Sequence, residues 1–280
     1  MRSPIFEAKP PSTICTCVAW LSPSDIAVGC ANGFVAVWSI ASRSSSGSPA
    51  PYIYQRIHAT YILNLSSAYP THPHLVGTTS MDGETRLTSL LDPQKDVVES
   101  NRMRIASPHI SYSAFTQAFL STDENDFGRL LAVRRFFTTA AVAKLQSTVS
   151  ALAPCSVWHP SILLGCTDGA VIAANPFRRQ LSSKEKLWQQ AWFSHEWARG
   201  RDAGDDPGVS RFQDGFRAEV ANLQRNLVGE QKVMNGVPLI TIFDEGTHIT
   251  ALAWNPNPSC AGWASAGMGC GLIRVEDVAL

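Results

Sequence analysis

The stretch THITALAWNPNPSCAGWASAGMGCGLIRVEDVAL, residues 247–280, decides the reading of the fold. Ile249, Ala251 and Ala253 alternate with their neighbours, the period of a strand with one buried face. Asn255, Pro256, Asn257 and Pro258 then force a turn, a run of small residues follows, and Gly271 opens a last run to Val275. The stretch predicts three strands joined by two turns.

The same order of parts recurs upstream. Residues 13–40, TICTCVAWLSPSDIAVGCANGFVAVWSI, hold an alternating strand ending in Trp20, a Ser-Pro-Ser-Asp turn, a strand at 26–29, an Asn32-Gly33 turn and a strand at 34–40. Residues 61–91 and 147–175 repeat the pattern around Asp82-Gly83 and Asp168-Gly169, and residues 109–146 hold a degraded copy without a glycine turn. Asn-Gly and Asp-Gly adopt the positive φ of a two-residue hairpin at little cost, so these dipeptides mark hairpins. A sheet of three or four strands cannot cover both its faces alone; radial packing of repeated sheets does so and leaves short edges. The expected fold is an all-β propeller over residues 1–280 with five visible blades. Either a leading strand at 5–8 pairs with the last copy to close a five-bladed ring, or the chain is part of a seven-bladed ring.

A chain of 280 residues, 45% hydrophobic and 16% charged, can bury a large core. Its formal net charge of +0 gives no whole-chain field toward nucleic acid or anionic lipid. Seven cysteines (15, 17, 30, 155, 166, 260, 270) sit mostly within strand-like runs and form no CxxC pair, which suits buried thiols in a reducing compartment. No apolar run approaches the roughly 20 residues of a membrane span, and the opening MRSPIFEAKPPS lacks an apolar signal region. A soluble protein is expected.

Residues 178–236 break the strand rhythm and postpone the next strand, expected at 237–243. Ser182-Ser183-Lys184-Glu185 reads as a capping box, and Leu187, Trp188, Ala191, Trp192 and His195 recur at helical spacing. After a Gly/Asp-rich break, Phe212, Phe216, Val220, Leu223 and Leu227 form a second stripe. The expectation is an α-helical insertion of two amphipathic helices. Aromatics of this size must be covered, either on the propeller's own side or by a partner. The candidate partner-interface residues are Trp188, Trp192, Trp197, Phe212 and Phe216. The pair Arg178 and Arg179 is the best local candidate for a phosphate contact, though ten basic against eight acidic side chains in 178–236 make a mixed surface.

Catalytic frames are missing: the chain has no glycine-rich phosphate loop, no GxSxG, no HExxH and no recognisable Ser/His/Asp order. His72 and His74 lack a third ligand nearby in sequence, His159 and His248 fit turn or capping roles, and Asp82 and Asp168 are hairpin residues first. No enzyme, cofactor, metal or small-molecule substrate is expected.

Trp158-His159-Pro160, Asp168-Gly169, Asn175-Pro176-Phe177-Arg178-Arg179, Ile249-Thr250-Ala251-Leu252-Ala253-Trp254-Asn255-Pro256-Asn257 and the ending 267–275 resemble the WD-repeat β-propeller subunit of transcription factor TFIIIC, of the fungal type, in its C-terminal propeller region. The Trp-Asp dipeptide of the repeat is absent, with Trp38-Ser39 and Val275-Glu276 in its place. The resemblance implies a nuclear, non-enzymatic scaffold that pairs with a second propeller subunit and other TFIIIC subunits. Through them it would support B-box promoter assembly on tRNA genes for RNA polymerase III, with DNA contact largely indirect. The alternative is a generic WD-repeat propeller that binds DNA or histone and peptide segments directly. A basic N-terminal extension, expected in that family, is not part of this sequence, which fits an excised fragment.

Overall fold

The structure, a computed structural model, describes residues 6–41, 49–92, 97–102, 106–123, 126–136, 139–154, 158–179, 186–198, 208–222, 233–234, 237–238 and 242–277. At 97–102, 178–179, 186–188, 216–222, 233–234 and 237–238 it describes the backbone alone. Consecutive strands build one antiparallel sheet after another. The first sheet is β1 (Cys15–Trp20), β2 (Asp25–Cys30), β3 (Phe34–Ser39) and β4 (Ile53–Arg56), in that order; the second is β5 (Ile62–Ser67), β6 (Leu75–Ser80), β7 (Glu84–Ser89) and β8 (Val97–Arg102). The third holds β9 (Ile110–Ser113), β10 (Ala118–Thr122), β11 (Phe127–Ala132) and β12 (Thr139–Lys144). The fourth has five strands, β13 (Val149–Pro154), β14 (Ile162–Cys166), β15 (Ala170–Arg179), β16 (Lys186–Ala198) and β17 (Val209–Asn222). A two-residue pair, β18 (Val233–Met234) and β19 (Val237–Pro238), precedes the last sheet of β20 (Ile249–Trp254), β21 (Trp263–Met268) and β22 (Ile273–Asp277). Meanders of sequential strands are the blade form of a β-propeller, and the chain has that all-β fold.

The hairpin reading holds at Gly33, Gly83, Gly169 and Gly271, with φ of 83°, 79°, 81° and 88°. Gly169 is demanded twice over. Its φ lies in the left-handed region, and a Cβ there would sit 2.9 Å from the His195 carbonyl carbon, because His195 N–H donates to the Gly169 carbonyl at 2.9 Å.

Residues cluster into two compact units, one of 1–124 with 130–139 and one of 125–129 with 140–280. In the first, Leu21, Val35, Val37, Ile57, Ile62 and Leu65 form one core. Tyr112, Phe119 and Phe136 anchor a second, with Tyr112–Phe119 and Phe119–Phe136 centroids 4.9 and 5.9 Å apart. His58 is buried there: its Nδ1 lies 3.0 Å from Asp82 Oδ2 and its Nε2 2.8 Å from Thr78 Oγ1. Burial lowers the His58 pKa more than the Asp82 charge raises it, so the ring is neutral; Nδ1–H donates to the carboxylate and Nε2 accepts the Thr78 hydroxyl. Burial pulls Asp82 upward, but the N–H groups of Glu84 and Ala59, together with His58, hold it below the usual carboxylate value. In the second unit Leu163, Val171, Trp192, Phe193, Ile249 and Met268 lead the core.

Three expectations need correction. The helical insertion at 178–236 is not helical: β15 runs on to Arg179, and 186–198 and 209–222 are the long strands β16 and β17. The reason is a β-bulge. Val171 pairs with Phe193 and Ile172 with Ala191, leaving Trp192 as an extra residue in β16. The slip shifts the alternation by one, so apolar residues that obey a strand's period on either side of it mimic helical spacing. The open edge of β15 then selects the strand form, which the aromatic-rich sequence favours. The capping box at 182–185 and the end of the second stripe, Leu223 and Leu227, lie outside the described residues. Second, the repeat read over residues 61–91 continues past its expected end, because β8 (Val97–Arg102) pairs with β7 as the fourth strand of its sheet. Third, residues 6–8 carry no strand, residue 5 lies outside the described residues, and the strand expected at 237–243 is, where described, the two residues of β19.

Candidate interaction surface

Besides the core that Trp192 and Phe193 share with the last sheet, an arginine of that sheet clamps the β16–β17 hairpin. Arg274 of β22 lies over the Phe193 ring, 4.6 Å from its centroid, and over Phe212 of β17 at 5.0 Å. Its Nη2 donates to Asp214 Oδ1 at 2.6 Å, and it also pairs with Glu276. Glu276 accepts the Trp192 indole N–H at 2.8 Å. Arg274 and Glu276 share one face of β22 because they are two residues apart. The fork of a guanidinium can stack on rings with its faces while its edge binds carboxylates.

Behind this clamp His195 is buried. Its Nδ1 lies 3.3 Å from the Thr247 carbonyl, which can only accept, so Nδ1 donates to it; its Nε2 lies 3.1 Å from the Ser210 hydroxyl. The Phe212 ring covers it at 5.0 Å. The Trp197 indole is slotted between Gly208 and Gly246, where added Cβ atoms would lie 2.7 Å from Cη2 and 2.6 Å from Cδ1.

One sheet face and one sheet edge carry exposed apolar side chains. On the last sheet Ile273 is 74% and Val275 56% exposed, beside exposed Trp263, Ala251 and Ala253; the opposite face holds Ala264, Ala266 and Met268 in the core. At the first sheet the exposure is confined to the edge strand, Val18 and Trp20 with Ile14 just before it, while Val28, Ala36 and Trp38 on the same face are buried with Phe6 and Ala8 packed against them.

Of the residues singled out from the sequence, Trp192 is 1% exposed and belongs to the chain's own core, and Trp197 is half-buried in its glycine slot. Phe212 keeps 41% of its surface exposed and joins the Arg274 clamp. Arg178 and Arg179 end β15, Trp188 lies in β16 and Phe216 in β17; their side chains lie outside those described. The sequence reading passed over Arg274, Glu276, Asp214, Trp263, Ile273 and Val275. The alternation of Ile273, Arg274, Val275 and Glu276 was visible, but no sequence signal says what lies across either face.

Over 272 residues, 95% of its length, the chain is 27% identical to transcription factor tau subunit sfc6 of Schizosaccharomyces pombe, and the match covers 43% of that protein. Over 266 residues, 94% of its length, it is 24% identical to the transcription factor tau 91 kDa subunit of Saccharomyces cerevisiae, of which 37% is covered. The chain resembles tau subunits. These are TFIIIC subunits, so the resemblance read from the sequence is borne out. The chain spans less than half the length of either relative. No family model matches it. Among solved structures, the β-propeller domain of Cps50 (Swd1) from Myceliophteria thermophila is 14% identical, with a TM-score of 0.47 over 95% of this chain and 99% of that one.

Proposed function

We propose that this chain is a non-enzymatic scaffold of the tau (TFIIIC) assembly, acting in the nucleus and holding other subunits, a second propeller among them, in the complex that supports RNA polymerase III transcription from B-box promoters. The observation that carries the reading is the similarity to two tau subunits along nearly the whole chain. The exposed apolar face of the last sheet agrees with it, since contiguous exposed apolar surface marks association. A propeller suits the task because strands locked by cross-strand pairing present side chains from a backbone that moves little.

Co-expression with the remaining tau subunits, followed by size exclusion at micromolar concentration, tests the reading. A shared peak is the expected result; separate peaks sink it. Titrating salt against binding of a tRNA-gene fragment separates direct DNA contact from scaffolding. A scaffold binds DNA only when its partners are present, whereas a steep negative salt slope for the chain alone would replace this proposal with direct DNA binding.

A further inference from the structure

At one end of the third sheet, far in sequence from both termini, an exposed aromatic ring stands beside two exposed arginines. Tyr112 and Phe119, on either side of the β9–β10 turn, belong to the core, while Phe115 within that turn stays exposed. The turn is tightly held. The Thr116 N–H donates to Ser113 Oγ at 3.3 Å, and Gln117 takes a φ of 50°, left-handed and uncommon for a residue with a side chain. The Gln117 carbonyl accepts the Val133 N–H at 3.3 Å and so ties this turn to the short 3-10 helix Val133–Arg135 that follows β11. Val133 packs against the core and Phe136 is buried in it, which leaves Arg134 and Arg135 between two anchors and exposed. Among the described residues neither arginine pairs with a carboxylate.

The sequence keeps acids away from this end. Between Glu99 and Asp168 the acids are Asp123, Glu124 and Asp126, and all three follow the far end of β10, where that strand has led away from Phe115. The neighbouring turn of the second sheet extends the surface. Thr71 Oγ1 meets the Tyr112 hydroxyl and His72 Nδ1 lies 3.4 Å from it, which brings exposed Tyr69 to the same end. Residues 57–81, which include β5 and β6, contain no Asp or Glu; the second sheet's Asp92 and Asp96 come later, between β7 and β8.

We propose that Phe115, Arg134 and Arg135 bind an extended acidic segment of a partner protein, with an apolar side chain of that segment against Phe115 and its carboxylates paired with the two guanidinium groups. The inference rests on the scaffold reading for the partner being a protein. Charge complementarity sets the sign of the occupant, and the exposed ring sets its apolar part. Two arginines on a chain of formal net charge +0 suit a few carboxylates. Duplex nucleic acid, with one charge about every 1.7 Å of its axis, calls for a longer basic stripe.

Fluorescence anisotropy with the intact chain tests this against three labelled probes: a peptide of alternating glutamate and leucine, the same peptide with glutamine for glutamate, and a single-stranded oligonucleotide. The parent is expected to bind the glutamate peptide about tenfold more tightly than the glutamine peptide. The double variant Arg134→Glu, Arg135→Glu should lose that preference, Arg134→Gln with Arg135→Gln should lose most of it, and Phe115→Ser should weaken both peptides several-fold. All these side chains are exposed, so the urea midpoints should match the parent's. No binding of the glutamate peptide, equal binding of the two peptides, a preference retained in both arginine variants, or tighter binding of the oligonucleotide would each overturn the proposal. The scaffold reading is decided separately, by co-purification with the tau subunits.

Discussion

Replacing Arg274 with alanine asks whether the β16–β17 hairpin is held by the clamp or merely lies beside it. The Arg274 side chain is 19% exposed and stacks on two rings, so each ring contact falls between the exposed and desolvated limits, about 1 kcal/mol apiece. Its partner Asp214 is 61% exposed, and that ion pair adds a few tenths of a kcal/mol at most. Loss of the packed stem brings the expected cost to about 2–3 kcal/mol. Arg274→Lys keeps the charge but not the planar stack and should lose about half of that. Asp214→Asn should be close to neutral. The assay is urea unfolding paired with hydrogen exchange of the β17 amides, which are predicted to lose protection in Arg274→Ala before the β13–β15 amides do. A change below about 0.5 kcal/mol with unchanged β17 protection would refute the clamp, since a desolvated two-ring contact cannot be that weak.

Further tests bear on His58, Trp192 and two hairpin glycines. His58 has a folded pKa lowered by burial, so the unfolded chain binds more protons and stability is complete above about pH 6.5 and is lost as pH falls toward the folded value. His58→Gln should flatten this part of the urea midpoint against pH, and an equal slope in both proteins would contradict the neutral-ring assignment. Asp82, also lowered, adds a further loss below about pH 4. Trp192→Ala empties a fully buried site and removes one of the donors to Glu276, costing about 3–5 kcal/mol in unfolding free energy; a loss under 1 kcal/mol would mean the indole is not core. Gly271→Ala meets nothing within 4 Å and should cost only the left-handed strain of about 1–2 kcal/mol, whereas Gly169→Ala also collides with the His195 carbonyl and should cost clearly more; equal midpoints would refute the close approach.

The sequence by itself determined the repeat and its hairpins. Asn32-Gly33, Asp82-Gly83 and Asp168-Gly169 mark bends that few other dipeptides adopt, and the alternation in 247–280 needs no partner to be read, because turn chemistry and pleat are local. It did not determine residues 186–222. There a one-residue bulge at Trp192 turns strand alternation into apparent helical spacing, and only the unpaired edge of β15, brought up by tertiary folding, selects the strand. The surface was divided the same way. That Trp192 is core, that Phe212 stays half open, and that Gly165 lies against Ile249 depend on which sheet lies across each face. Packing between elements distant in sequence leaves no periodic trace, so tertiary structure alone decided it.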